Sequence, residues 1–140
     1  EEIGLPYKSK EDRKRVSNAY YQAHTEEVKA NTRLWRQRNP VNVFRNRIKR
    51  NAKRAGVEFD LDLEWFKERI ERGVCEATGL PFVDSDKPMA PFTHSVDRTD
   101  PGKGYTKDNC KMVIWIYNAA KGSNSHEDVM IMARSLCIQS

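Results

Sequence analysis

The chain has 140 residues, 25 of them Lys or Arg and 20 Asp or Glu, for a formal net charge of +5. That length fits one domain plus an appendage, and the longest apolar run, Met112 to Tyr117, is far short of the roughly 20 residues needed to span a bilayer. Three widely spaced cysteines, Cys75, Cys110 and Cys137, form no C-x-x-C pair, which argues against a disulfide framework and a structural zinc and makes a reducing, cytoplasmic compartment the expectation.

The two ends of the chain are electrostatically different. Residues 1–54 hold 15 basic and 6 acidic side chains, whereas residues 55–140 hold 10 and 14. Thr25 before Glu26-Glu27, and Asn39 before Pro40, each place a capping residue ahead of a suitable first turn and predict helix starts. Between Val28 and Arg54 the cations Lys29, Arg33, Arg36, Arg38, Arg45, Arg47, Lys49, Arg50, Lys53 and Arg54 occur without a single acid. Such a stretch repels itself unless a polyanion lies against it; the plainer alternative is a solvated basic face. The high Arg share and the interleaved Tyr20, Tyr21, Trp35 and Phe44 favour nucleic acid, because guanidinium forks match phosphates and aromatic rings stack on bases. Arg33, Trp35 and Arg36 are candidate groove contacts, and Arg45, Arg47, Lys49, Arg50, Lys53 and Arg54 candidate backbone contacts. From Pro40 to Ala55 the apolar residues Val41, Phe44, Ile48, Ala52 and Ala55 recur at three- and four-residue steps, which predicts a helix with one core-facing stripe, closed by Gly56. Residues 1–56 are therefore expected to form a basic helical arm and residues 57–140 a domain of their own.

Val57 to Leu61 alternates apolar and acidic residues, and Asp62 is placed to cap a helix through Trp65, Phe66 and Ile70 that stops at Gly73. Cys75 to Phe82 reads as a tight turn or short hairpin, and residues 83–92 as loop. A strand from Thr93 to Arg98, a Gly-containing loop from Thr99 to Asn109, a strand from Cys110 to Ile114 and a short helix through Lys121 follow. Ser125 to Asp128 has capping-box spacing for a last helix with Met130, Ala133 and Leu136 or Cys137 turned inward. The fold class expected is α+β.

Within "HSVDRTDPGKGYTKDNCKMVIWIYNAAK", residues 94–121, ten positions fall at a specific spacing: Val96, Asp97, Arg98, Asp100, Gly104, Tyr105, Asn109, Val113, Asn118 and Lys121. This pattern resembles the HNH, or ββα-metal, nuclease family, in particular the phage and mobile-element branch whose core reads "LDRIDxxxGYxxxNxxxVxxxxNxxK". "CEATGLPF" resembles the turn that precedes the motif in that branch. The resemblance implies a ββα-metal core with flanking helices, a metal-dependent DNA endonuclease or nickase, and double-stranded DNA as partner, with no membrane association; monomer and homodimer both stay open. It implies Asp97 and Asn118 as metal ligands, Mg²⁺ or else Mn²⁺ as the metal, and Arg98 and Lys121 as phosphate contacts.

The spacing makes chemical sense by itself. Antiparallel pairing of the two strands would bring Asp97, at the end of one strand, near Asn118, in the first turn of the helix, and two oxygen ligands suit a hard divalent cation. Taken singly, Asp97 could cap the loop and Asn118 bond the backbone. Asp100, Gly104, Tyr105 and Asn109 read as loop structure: a turn initiator, a permissive backbone, a packed ring and a bridging amide. Most HNH nucleases carry a general-base His after the aspartate, where this chain has Arg98, which stays protonated and can only clamp a phosphate or steady charge. His94 is the nearby imidazole, but on an extended strand it lies roughly 13 Å from Arg98; Tyr105, His126 and a metal-bound hydroxide are the other candidates for the base. The rival expectation is a nucleic-acid-binding protein on an HNH scaffold with weak or no turnover. If affinity resides in the arm, deleting residues 1–54 should abolish most of it.

Overall fold

The computed structural model describes residues 9–140, which form six helices and one two-stranded antiparallel sheet. The architecture is α+β. Among the described residues no helix is long and apolar enough to cross a membrane.

Two compact units meet in sequence between Pro40 and Val41, not at the expected boundary of residues 56 and 57. The first unit carries helix α1, Lys10–Ala23, and helix α2, Thr25–Arg38, and neither buries a residue. Ser9 caps α1 by accepting from Asp12 N at 3.1 Å. Thr25 does not cap α2. Its hydroxyl turns back to donate to Tyr21 O at 2.6 Å, so the single residue His24 separates the two helices. Asn39 likewise serves the helix behind it, its side-chain amide donating to Trp35 O at 2.8 Å. A side chain that can bond its own preceding turn competes with the forward cap, and at both positions the backward bond forms.

Helix α3, Pro40–Ala55, belongs to the second unit from Val41 onward. The middle of the predicted stripe is its buried face: Phe44, Ile48 and Ala52 are 5%, 5% and 1% exposed, while Val41 is partly buried and Ala55, also expected in the stripe, is exposed. Gly56 ends it in the left-handed region, with Val57 N donating back to Ala52 O at 3.1 Å, the six-to-one bond of a Schellman closure. Helix α4, Leu63–Arg72, is capped by Asp62, which accepts from Trp65 N at 2.8 Å, and ends at left-handed Gly73. Phe44 and Ile48 of α3, Leu61, Trp65 and Phe66 of α4 and its lead-in, and Val96, Cys110 and Met112 of the sheet form the main cluster. Because α3 supplies part of this core, the boundary between the units falls at its first residue and not after it.

Strand β1, His94–Arg98, pairs with strand β2, Cys110–Ile114, in the register Val96 to Met112 and Asp97 to Lys111. The side-chain period of two then sends His94, Val96 and Arg98 to one face and Ser95 and Asp97 to the other. The outer edge of β2 is covered by the turn after α4. Glu76 N donates to Met112 O at 2.9 Å, the Glu76 carboxylate accepts from Met112 N and from Arg69 Nε, and Ile114 N donates to Cys75 Sγ. An edge satisfied in this way offers no ladder for another chain.

Helix α5, Trp115–Lys121, follows β2 directly, and a second small cluster of Cys75, Val113, Ile114 and Tyr117 lies beneath it. Helix α6, His126–Gln139, starts with the predicted capping box, with Ser125 accepting from Asp128 N and the Asp128 carboxylate accepting from Ser125 N. Leu136 and Cys137 are not inward as expected. Both are exposed, and contact with the small cluster is made about two turns earlier through Val129.

Candidate functional site

The loop joining β1 to β2 is held from inside by Asn109, which is 6% exposed. Its amide nitrogen donates to Asp100 O at 3.0 Å and Gly104 O at 2.8 Å, and its oxygen accepts from Asp100 N at 2.9 Å. Asp100 closes a smaller turn by accepting from Gly102 N. Gly104 lies so close to the chain at Glu58 that a Cβ would stand 2.6 Å from Glu58 O, so glycine is required there for close approach. Tyr105 packs on the main cluster and hydrogen-bonds the backbone of Glu58 and Asp60. Sequence reasoning did not anticipate Lys107, whose backbone N donates to Asp60 and whose ammonium pairs with the capping carboxylate of Asp62. The ammonium holds the Asp62 carboxyl below its ordinary range.

Helix α5 is fastened to β1 by two residues on one face, three positions apart. Asn118 donates its amide nitrogen to Ser95 Oγ at 2.8 Å and Val96 O at 3.1 Å. Lys121 donates to Asp97 Oδ1 at 3.1 Å and Arg98 O at 2.9 Å. Four consecutive residues of β1, Ser95 to Arg98, are therefore held from one helix. The Lys121 and Asp97 side chains are 2% and 5% exposed, so Lys121 is a buried partner of Asp97 and not the outward phosphate contact expected for it. The pairing joins residues 24 apart in sequence; the alternation of Ser95 with Asp97 was the sequence signal that both face α5.

Asp97 and Asn118 are thus brought to the same junction, each by one atom. Among the described residues the only buried side-chain nitrogen or oxygen without a partner is Trp65 Nε1, and Asp97 and Asn118 each keep one oxygen, Oδ2 and Oδ1, that no protein hydrogen bond engages. A carboxylate oxygen and an amide oxygen are the donor types that Mg²⁺ and Mn²⁺ take. No group of three or more His, Cys, Asp or Glu side chains suited to a metal occurs among the described residues, and the oxygen pair is a sparser donor set than that.

Arg98 ends β1 with its guanidinium 4.9 Å from the Tyr105 ring centroid and one N–H donated to Lys103 O at 2.9 Å. That single backbone contact fixes the fork at the mouth of the loop. His94 is elsewhere. It lies on the strand face opposite Asp97, edge-on to Phe44 at 4.6 Å and to Phe82 at 6.1 Å between centroids. Its expected role as base has no geometric support, for it is a packed aromatic. His126 is hydrogen-bonded through Nδ1 to Tyr117 OH at 2.9 Å.

Compared with known proteins, the chain matches no family model, no curated protein and no solved structure. The site therefore stands on its own residues.

The basic surface divides between the two units. Tyr21 of α1 lines an open groove with Val28, Lys29, Thr32, Arg33 and Arg36 of α2, and Trp35 is 47% exposed. On α3, Lys49, Arg50, Lys53 and Arg54 are exposed. Arg45 and Arg47 are partly committed to the fold: Arg45 donates to Leu61 O and lies over Phe59, and Arg47 lies over Phe44.

Burial pushes the His94 imidazole below its ordinary pKa of 6.5, helped by Arg47 and opposed by Asp84. The folded chain therefore keeps His94 neutral at a pH where the unfolded chain has already taken up a proton. Stability from this group is complete above about pH 6.5 and is lost as pH falls below it. We expect the urea midpoint to decline as pH is lowered from about 7.5 to about 5, and a His94→Phe variant to decline less steeply. Equal slopes in the two proteins would assign the acid sensitivity to other groups.

Proposed function

We propose that the chain is a small divalent-metal-dependent DNA endonuclease or nickase with a ββα-metal core. The observation that carries this reading is the junction of β1 and α5, where Asp97 and Asn118, residues whose spacing matches the HNH pattern, stand on adjoining elements with one oxygen each that no protein hydrogen bond engages. Those oxygens would hold Mg²⁺ or Mn²⁺, which supplies Lewis-acid polarisation of the scissile phosphate. Arg98 offers the remaining donors of its fork to a phosphate at the loop mouth. The exposed cations of α2 and α3 supply affinity for the duplex backbone.

A second reading, DNA binding without turnover, draws on a specific observation as well. Asp97 already has a buried cationic partner in Lys121, and the position after it is an arginine that cannot accept a proton.

Supercoiled plasmid distinguishes the two. Under the first reading, nicked or linear product accumulates in Mg²⁺, disappears with chelator, and is lost in Asp97→Asn while duplex binding by mobility shift persists. Undiminished cutting by Asp97→Asn would remove the metal assignment. Prolonged incubation in Mg²⁺ and in Mn²⁺ without product, with binding intact in EDTA, would establish the second reading.

A further inference from the structure

We propose that Lys121 makes cation binding at the β1–α5 junction depend on a phosphodiester, so that the metal enters together with DNA and not ahead of it. This inference rests on the metal assignment made above. It follows from the charge of the site. The Asp97 carboxylate is matched by the Lys121 ammonium at 3.1 Å in surroundings that leave the pair 5% and 2% exposed. Asn118 contributes an uncharged oxygen, and the residue opposite Asp97 across the sheet is another cation, Lys111. The ligand set thus carries no net negative charge, and a divalent ion arriving alone would exchange its hydration for one half-neutralised carboxylate and one amide. A phosphate oxygen supplies the missing negative charge and a third ligand at once.

Lys121 cannot simply swing away when an ion arrives. Its second bond, to Arg98 O at 2.9 Å, holds it to the strand, and withdrawal would leave a part-buried carbonyl unpaired. It also engages Asp97 through Oδ1, which leaves Oδ2 as the carboxylate oxygen without a protein hydrogen bond. Lys121 is in this sense a positioning residue, acting on the metal through Asp97.

The experiment uses the full chain with Mn²⁺ as probe, following the free Mn²⁺ signal by electron paramagnetic resonance, with and without a short synthetic duplex and with the duplex alone as baseline. The wild type should bind Mn²⁺ weakly by itself and at least about tenfold more tightly with duplex present, after the duplex baseline is subtracted. Lys121→Gln, which keeps a donor for Asp97 and Arg98 O but removes the charge, should bind Mn²⁺ without DNA at least about tenfold more tightly than the wild type. Equal Mn²⁺ affinity with and without duplex in the wild type, or unchanged affinity in a folded Lys121→Gln, would overturn the proposal. The wild-type comparison decides the matter even if the variant does not fold. Plasmid cutting reports separately on the nuclease reading: cutting with duplex-independent Mn²⁺ binding would refute this inference alone, and duplex-dependent binding without cutting would refute only turnover.

Discussion

A chain lacking residues 1–39 is expected to fold and to melt close to the intact protein, whereas a chain lacking residues 1–54 is expected not to fold. Neither α1 nor α2 buries a residue, so the shorter deletion takes no side chain out of the main cluster. The longer one removes Phe44, Ile48 and Ala52, all under 6% exposed, together with the Arg45 bond to Leu61 O. Truncating one buried Phe costs about 3–5 kcal/mol and one buried Ile about 2–5 kcal/mol. Loss of the whole helix therefore reaches the total of roughly 5–15 kcal/mol that holds a domain together. Circular dichroism melts of the two truncations give the answer. On the proposed function the shorter truncation also reports on DNA binding. It loses Lys29, Arg33, Arg36 and Arg38 and keeps the cations of α3, so duplex affinity should weaken and the slope of log affinity against log salt should flatten by about 0.9 per phosphate contact removed. A 1–54 truncation that melts cooperatively would show that α3 is dispensable to the core.

This shifts the meaning of the charge asymmetry. The expected arm, residues 1–56, takes in the whole acid-free run from Val28 to Arg54, yet the fold divides that run after Pro40. The information needed to place the break was present in the Phe44, Ile48, Ala52 stripe, since a helix with a coherent apolar face must bury it against something. What the sequence made legible was mostly local. The Asp62 cap, the Gly73 stop, the Gly56 closure and the Ser125–Asp128 box each depend on atoms within a few residues, and each is found where its residues stand. Thr25 and Asn39 were equally local but ambiguous, because a short polar side chain can bond the turn behind it as readily as the turn ahead.

The candidate site was legible in its membership and not in its wiring. Asp97, Asn118 and Lys121 were all singled out, and the antiparallel pairing of β1 with β2 brings them to one junction. Which atom goes to which partner depends on contacts across more than 20 residues, and no spacing rule fixes those. Glu76 illustrates the same limit. Nothing in "CEATG" marks it as the residue that accepts both Met112 N and Arg69 Nε, since the need for it arises only once β2 has an open edge. His94 was the reverse case, a residue type that suggests chemistry placed where the strand alternation demands packing.

The largest single-residue effects should come from the buried pair, and they should not add. Lys121→Met leaves the Asp97 carboxylate 5% exposed with no cation beside it, and Asp97→Ala leaves the Lys121 ammonium 2% exposed with only Arg98 O. Each is expected to cost about 3–5 kcal/mol, the usual consequence of stranding one member of a buried pair. The double variant removes both charges and should cost less than either single change, the remaining penalty being the unpaired Arg98 carbonyl, about 1–3 kcal/mol. Urea unfolding of the four proteins in a double-mutant cycle measures the coupling directly. Costs that simply sum would mean that the two side chains do not stabilise one another. A strongly negative coupling carries a further implication, because replacing a buried ion pair by apolar residues is often neutral for stability. On the proposed function, a pair whose joint removal the fold tolerates is retained for what it positions, the Asp97 carboxylate at the junction with α5.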